Sequence, residues 1–212
     1  MREQKGILTV VSGFSGSGKG TIMKRLLERY PKEYALSVSA TTRQPRPGEV
    51  HGREYFFVSA EEFEDMIARG DLIEYARYVE NYYGTPRAYV EEQLLAGRNV
   101  ILEIEIQGAL KVKEVLPDTL LLFVTPPSAQ ELRARLEGRG TESPQVIEAR
   151  LRRAAEEGQG VEQYEYLVVN DELEECVTLV HQIIQCEHSR MARCRNQINE
   201  INKELSSFVK QS

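Results

Sequence analysis

The stretch Ile7-Leu-Thr-Val-Val11, continued through Ser12 into Gly13-Phe-Ser-Gly-Ser-Gly-Lys-Gly-Thr21, decides the fold of this chain. The first five residues are a short β-branched run, and a helical apolar spacing (Ile22, Leu26, Leu27, Tyr30) follows the glycines and stops before Pro31, so the order is strand, loop, helix. Within the loop the spacing is G-x-x-x-x-G-K, the pattern of a phosphate-binding loop. Glycines let successive backbone N–H groups converge on phosphate oxygens, the following helix aims its positive end at the same point, and Lys19 adds a full charge. Two glycines and a lysine at these offsets arise by chance at roughly 0.0003 per start position, and the strand before and helix after reduce that further. Gly13, Phe14, Ser15, Gly16, Ser17, Gly18, Lys19, Gly20 and Thr21 are therefore read as the site for ATP. One position departs from the pattern: Gly20 stands where a Ser or Thr usually ligates Mg2+, which leaves Thr21 as the nearest hydroxyl.

Working outward, Asn99–Ile106, Leu120–Val124 and Tyr166–Val169 read as further buried strands with helical patterns between and after them. Apolar strands alternating with helices predict an α/β fold, a P-loop NTPase-type parallel sheet flanked by helices. Ser59 with Glu62 and Ser128 with Glu131 match capping boxes, and Pro86 and Pro144 suit first helical turns. Residues 37 to 84 break the rhythm with turn-rich and aromatic sequence and are read as an inserted subdomain. Glu137–Pro144 separates two Arg-rich helical stretches and has the composition of a lid. From about Glu187 to Ser212 the chain is polar with sparse apolar positions (Ile198, Ile201, Leu205, Phe208), the pattern of a surface helix that frays at its end.

With 212 residues and 41% hydrophobic content, the chain suffices for one domain with a sizeable core. A net charge of -6 argues against a surface built to attract nucleic acid. No run approaches the roughly 18 to 20 apolar residues of a membrane span, and the sequence after Met1 enters a strand-like run instead of a signal-peptide core. Cys176, Cys186 and Cys194 show neither a C-x-x-C pair nor zinc-ligand spacing, so reduced thiols and a cytoplasmic location are expected.

Several motifs recur in a fixed order: T-T-R-x-P-R-x-G-E from Thr41 to Glu49, a downstream G-x-x-Y ending at Tyr55, an isolated Glu74, Tyr82-Tyr-Gly84, the strand end around Glu103, R-L-x-x-R-G from Arg135 to Gly140, and Val169-Asn-Asp171. Together with the glycine loop they resemble the guanylate kinase family, over about residues 5 to 186. The resemblance implies a core of residues 1–36 and 86–186, a GMP-binding insertion at 37–85, a small Arg-containing lid at about 137–150, and a tail, 187–212, outside the family pattern. It implies Mg2+-dependent transfer of the ATP γ-phosphoryl group to GMP. Its GMP residues would be Ser39, Arg43, Arg46, Tyr55, Glu74, Tyr83, Thr85, Glu103 and Glu105, with Asn170 on the adenine side. Lys19, Arg43, Arg135, Arg139 and Arg150 would carry catalysis, while Arg152 and Arg153 would face solvent.

The residue chemistry suits these roles. Arg43 and Arg46 can present planar forks to a dianionic phosphate, and guanine, with adjacent N1–H and N2–H donors, wants a carboxylate acceptor such as Glu74. Glu103 and Glu105, two apart on a strand, would share one face at its C-terminal end, where open α/β sheets bind ligands. Relatives often carry Asp at position 105, so the longer Glu105 leaves open whether it meets the base or, through water, the metal. Mg2+ is expected to be held mainly by phosphate oxygens and water. Asp171 is read equally as a cap of the helix beginning near Leu173. Two other readings stay open: an adenylate-type kinase, which the glycine loop alone fits equally well, and a non-catalytic guanylate-kinase-like module that binds peptides. The intact Lys19 and glycines speak against the latter. Use of dGMP and the oligomeric state are left undecided by the sequence.

Overall fold

The computed structural model describes residues 5–78, 80–138, 143–158 and 160–209. In chain order its elements are β1 (Leu8–Gly13), α1 (Lys19–Arg29), β2 (Tyr34–Leu36), β3 (Ala40–Thr41), β4 (Phe56–Phe57), α2 (Ala60–Arg69), β5 (Leu72–Tyr78), β6 (Asn81–Pro86), α3 (Arg87–Leu95), β7 (Asn99–Glu103), α4 (Ile106–Val115), β8 (Leu120–Thr125), α5 (Ala129–Gly138), α6 (Pro144–Glu157), β9 (Tyr166–Val169), α7 (Leu173–Glu187) and α8 (Met191–Val209).

Successive side chains of a strand point to opposite faces, and the apolar run of β1 uses both. Ile7 and Val11 enter one core with Ile22, Met23 and Leu26 of α1 and Val177, Val180 and Ile184 of α7. Leu8 and Val10 enter the other with Val90 and Leu94 of α3 and Ala109 and Val112 of α4. β1 is therefore the middle strand of a five-stranded parallel sheet, order β2-β7-β1-β8-β9, with helices on both faces. Because β7 and β8 flank β1 on opposite sides, the chain leaving β1 stands where the strand order reverses, the crevice in which such sheets bind ligands.

A second sheet, order β4-β3-β6-β5, is built from residues 40 to 86. Its own core gathers Ala40, Phe63 and Leu72, with Phe63 of α2 stacked on Tyr82 at 5.2 Å. Ile73 of β5 belongs instead to the α3–α4 core, which fastens this sheet to the larger one.

The capping box of α2 is present: Ser59 Oγ accepts from the Glu62 N–H at 3.1 Å and Glu62 accepts from the Ser59 N–H at 2.7 Å. At α5 only half of it forms. Ser128 Oγ accepts from the Glu131 N–H, but the Glu131 carboxylate takes Arg135 at 2.7 Å. Pro144 sits in the first turn of α6, whereas Pro86 closes β6 and is the extended N-cap of α3, not its first turn. The expected strand Asn99–Ile106 ends early, at Glu103, because Ile106 joins Ala109 and Val112 on the buried face of α4. Asp171 does not cap α7; Glu172 is the N-cap and makes no side-chain bond there. Among the described residues no helix is long and apolar enough to cross a membrane.

Candidate active site

The loop between β1 and α1 works only because its glycines are glycines. A Cβ on Gly13 would lie 2.0 Å from the Val124 carbonyl oxygen of the neighbouring strand. Gly18, the N-cap of α1, has φ 90°, and a Cβ there would lie 2.3 Å from Asn170 Nδ2. That amide donates to the Ser17 carbonyl at 2.7 Å, so the buried Asn170 braces the loop from the end of β9. Lys19 reaches back across the loop, its Nζ donating to the Gly13 carbonyl at 2.6 Å and the Phe14 carbonyl at 3.2 Å. Phe14 is held by α5 and α6 through Leu132, Leu136, Ile147 and Leu151, and edge-on by Phe123 at 5.1 Å. Ser15 and Gly16 are half-buried, while Gly20 and Thr21 are exposed in the first turn of α1.

Arg135, on α5, is aimed at the same loop. Its Nη2 donates to the Asn170 carbonyl at 3.0 Å and its Nη1 to the Ser17 carbonyl at 3.5 Å, while Glu131 holds its Nε. Arg150 is half-buried on α6. Arg139 lies outside the described residues.

Glu103, the last residue of β7, also faces this loop. A Cβ on Gly20 would lie 3.9 Å from each of its carboxylate oxygens. The carboxylate is open to solvent on one side, yet the surrounding protein displaces enough water to raise its pKa, against the pull of the Lys19 ammonium. Glu105 does not share this position: as the N-cap of α4 it points elsewhere and accepts from Arg153 Nη2 at 2.7 Å. The strand ends before it, so the two-residue period that would have aligned the carboxylates does not apply. Arg153 is correspondingly not a plain solvent residue, since it also lies over the Tyr78 ring. Arg152 is exposed.

On the smaller sheet, Arg43 is fixed before any ligand arrives. Glu49 accepts from its Nη2 at 2.9 Å and the Gln44 carbonyl from its Nη1 at 2.8 Å, and the guanidinium stands over the rings of Tyr55 and Phe57. The other oxygen of Glu49 accepts from the Arg46 N–H at 2.7 Å. With these partners, Arg43 first among them, the Glu49 carboxyl is held below its ordinary pKa. Tyr83 lies 5.9 Å from Tyr55, ring to ring, and Ser39 leads into β3 beside Phe56, whose N–H bonds its carbonyl. Arg46 is exposed.

Glu74 and Thr85 face each other across β5 and β6. The fully buried Thr85 donates its hydroxyl to Glu74 Oε1 at 2.7 Å. Burial raises the Glu74 pKa; the Thr85 bond and the Lys111 ammonium on α4 oppose that only in part. The two halves of the site meet at the turn from β7 into α4. Glu103 is at its start beside the glycine loop, Ser12 Oγ donates to the Ile104 carbonyl at 2.7 Å, and a Cβ on Gly108 would lie 3.5 Å from Glu74 Oε2.

Known proteins resemble this chain along most of its length. A sequence model described as Guanylate kinase matches residues 5–187. The chain is 51% identical to a guanylate kinase of Lactococcus lactis, covering 91% of this chain and 93% of that one. With a guanylate kinase of Latilactobacillus sakei it shares 48%, over 93% and 97% of the two chains. A crystal structure of guanylate kinase from Anaplasma phagocytophilum superposes with a TM-score of 0.70 at 34% identity, covering 91% of this chain and 92% of that one.

The chain belongs to the guanylate kinase family.

Seen as a guanylate kinase, it holds two residues whose parts the sequence did not reveal. Glu49 stands inside the quoted T-T-R-x-P-R-x-G-E motif, but only folding shows that it grips Arg43 and Arg46 together. Asn170 is legible as a motif residue, yet its side chain is spent on Ser17. No group of three or more His, Cys, Asp or Glu side chains able to hold a metal occurs among the described residues. The oxygen donors near the loop, the Thr21 hydroxyl and the Glu103 carboxylate, are hard ligands of the kind Mg2+ accepts, directly or through water.

Proposed function

We propose that the residues assembled around the β7–α4 turn carry out the guanylate kinase reaction, ATP and GMP giving ADP and GDP, in the following way. The observation that carries this reading is that one turn adjoins both the Lys19 loop through Glu103 and the Glu74–Thr85 pair through Gly108, so donor and acceptor sites are neighbours. The glycine loop and the positive end of α1 bind the ATP phosphates, with Lys19 exchanging the Gly13 and Phe14 carbonyls for phosphate oxygens. Asn170 acts by holding Ser17 in place.

Arg43, Arg46, Tyr55, Tyr83 and Ser39 hold the GMP phosphate. Arg43 is already oriented by Glu49 and its aromatic neighbours, so little side-chain freedom is lost on binding. Glu74, kept in place by Thr85, accepts the guanine N1–H and N2–H.

A phosphate dianion is a sufficient nucleophile without a general base, and repulsion between the two phosphate groups is the obstacle. Lys19, Arg43, Arg135 and Arg150, with Arg139, are proposed to neutralise and align them. Mg2+ would supply further charge neutralisation, with Thr21 and Glu103 the side chains that would hold it, directly or through water. Packing of α5 and α6 on Phe14 ties the Arg135 and Arg150 helices to the loop, which supports exclusion of water from the transferring group.

The test offers purified protein ATP and Mg2+ with GMP, dGMP, IMP, AMP, CMP or UMP and follows ADP. Turnover with GMP far above that with AMP, CMP and UMP is expected. Equal turnover with AMP would sink the guanine assignment, and none with any acceptor would favour a binding module.

A further inference from the structure

α6 is held from two sides. Ile147, Leu151 and Ala154 pack with Leu132 and Leu136 of α5 around Phe14, so one face of the helix belongs to the glycine loop. From its flank Arg153 reaches in another direction. Its Nη2 donates to Glu105 Oε1 at 2.7 Å, and its guanidinium carbon lies 5.8 Å from the centre of the Tyr78 ring. Glu105 stands in the β7–α4 turn, and Tyr78 is the last residue of β5, the strand that carries Glu74. One side chain of α6 therefore touches both the turn shared by the two half-sites and the smaller sheet.

The chemistry of both partners suits a specific contact. An acceptor side chain at an N-cap ordinarily takes a backbone N–H of the first turn, but Glu105 makes no such bond and gives its oxygen to Arg153 instead. A guanidinium can donate within its plane while laying its face on a ring, whereas the ammonium of a lysine is a compact point charge. Arg153 uses both faculties at once.

The helical period separates the arginines of α6. At about 100° per residue, Arg150 lies about 60° from Arg153, between it and the buried stripe, while Arg152 falls on the opposite flank. Packing on Phe14 fixes where α6 lies, but a stripe of aliphatic side chains tolerates some rotation about the helix axis. Holding Arg153 removes that freedom, and the rotation is what aims Arg150.

We propose that Arg153 is a positioning residue, which ties α6 to the acceptor half of the site and thereby sets the direction of Arg150. This rests on the reading of Arg150 as a group that neutralises the transferring phosphoryl. The side chains of Arg153 and Glu105 are 43% and 68% exposed, so the pair is a weak source of stability. Its effect is on alignment, where small displacements are costly to rate.

The experiment measures kcat, KM for ATP, KM for GMP and melting temperature for the parent, Arg153→Met, Arg153→Lys, Arg150→Ala and the Arg150→Ala/Arg153→Met double variant. Arg153→Met should lower kcat by about 3- to 10-fold, the scale of one exposed ion pair plus one ring contact. Both KM values should stay within about twofold, and the melting temperature within about 2 °C. Arg153→Lys, which keeps the ion pair and gives up the flat ring contact, should recover part of the loss. Because Arg153 acts through Arg150, removing it in the Arg150→Ala background should change kcat by less than about twofold, whereas a residue that only stabilises the helix would show its full effect there. An unchanged kcat in Arg153→Met, a loss that multiplies with that of Arg150→Ala, a loss matched by a rise in either KM, or no recovery with lysine would each overturn the proposal and leave the role of Arg150 standing. If Arg150→Ala turns over as fast as the parent, both fall.

Discussion

Glu74 illustrates how a single residue can be unfavourable for the fold at neutral pH and yet be the one the proposed base recognition requires. Burial raises its pKa, so the folded chain binds this proton more tightly than the unfolded one. Its contribution to stability is therefore fully present below the unfolded carboxyl pKa and is lost as pH rises through the folded one. The proposed base recognition runs the other way, since only the carboxylate could accept both guanine donors. Glu74→Gln should thus raise the melting temperature at neutral pH. It should lower kcat/KM for GMP by about 10- to 150-fold, the equivalent of about 1.5–3 kcal/mol for charge-assisted hydrogen bonds, with KM for ATP unchanged. In the parent, kcat/KM for GMP should begin to fall, as pH drops, above the ordinary carboxylate range; in the variant the Glu74 part of that fall should be lost, leaving only the fall from protonation of the GMP phosphate. Retained GMP efficiency would remove Glu74 from base recognition. The residue was legible in the sequence as a motif position, but its partner Thr85 and the desolvation that tunes it come from two strands meeting.

At the scale of the element, the glycine loop was readable almost whole, because every feature is local: a β-branched strand, small residues for the turn, a lysine and a helix start. Not readable was its surroundings. The carboxylate beside Gly20 is Glu103, and its companion Glu105 is diverted to Arg153 because the helical period of Ile106, Ala109 and Val112 ends the strand early. This arrangement leaves room for a side chain at position 20. Gly20→Ser puts a Cβ at ordinary contact distance from Glu103, so stability should change by no more than about 0.5 kcal/mol. If Mg2+ binds here, the added hydroxyl should lower the Mg2+ concentration for half-maximal rate by roughly 2- to 10-fold, as one hydrogen bond or ligand of about 0.5–1.5 kcal/mol implies. An unchanged Mg2+ titration would place the metal away from this turn.

For the whole molecule, the decisive structure is the two-sided core. Leu122 of β8 is fully buried on the α1–α7 side, distant in role from the nucleotides. Leu122→Ala should cost about 2–5 kcal/mol out of a total near 5–15 kcal/mol. The urea midpoint should fall, while the folded enzyme keeps its KM values; a loss under about 1 kcal/mol would mean that the core collapses around the gap. By itself the sequence determined the features that are local or periodic: the strands β1, β8 and β9, the glycine loop, the α2 capping box, the surface character of α8 and the motif order of the family. Neighbour relations distant along the chain were decided only by the tertiary structure. Asn170 is spent on Ser17, 153 positions away, Arg153 is turned onto Glu105 and Tyr78, and Ile73 enters the larger core to fasten the smaller sheet. Periodicity and turn chemistry report which face of an element is buried, but a polar side chain takes whichever partner the assembled elements bring within hydrogen-bond reach.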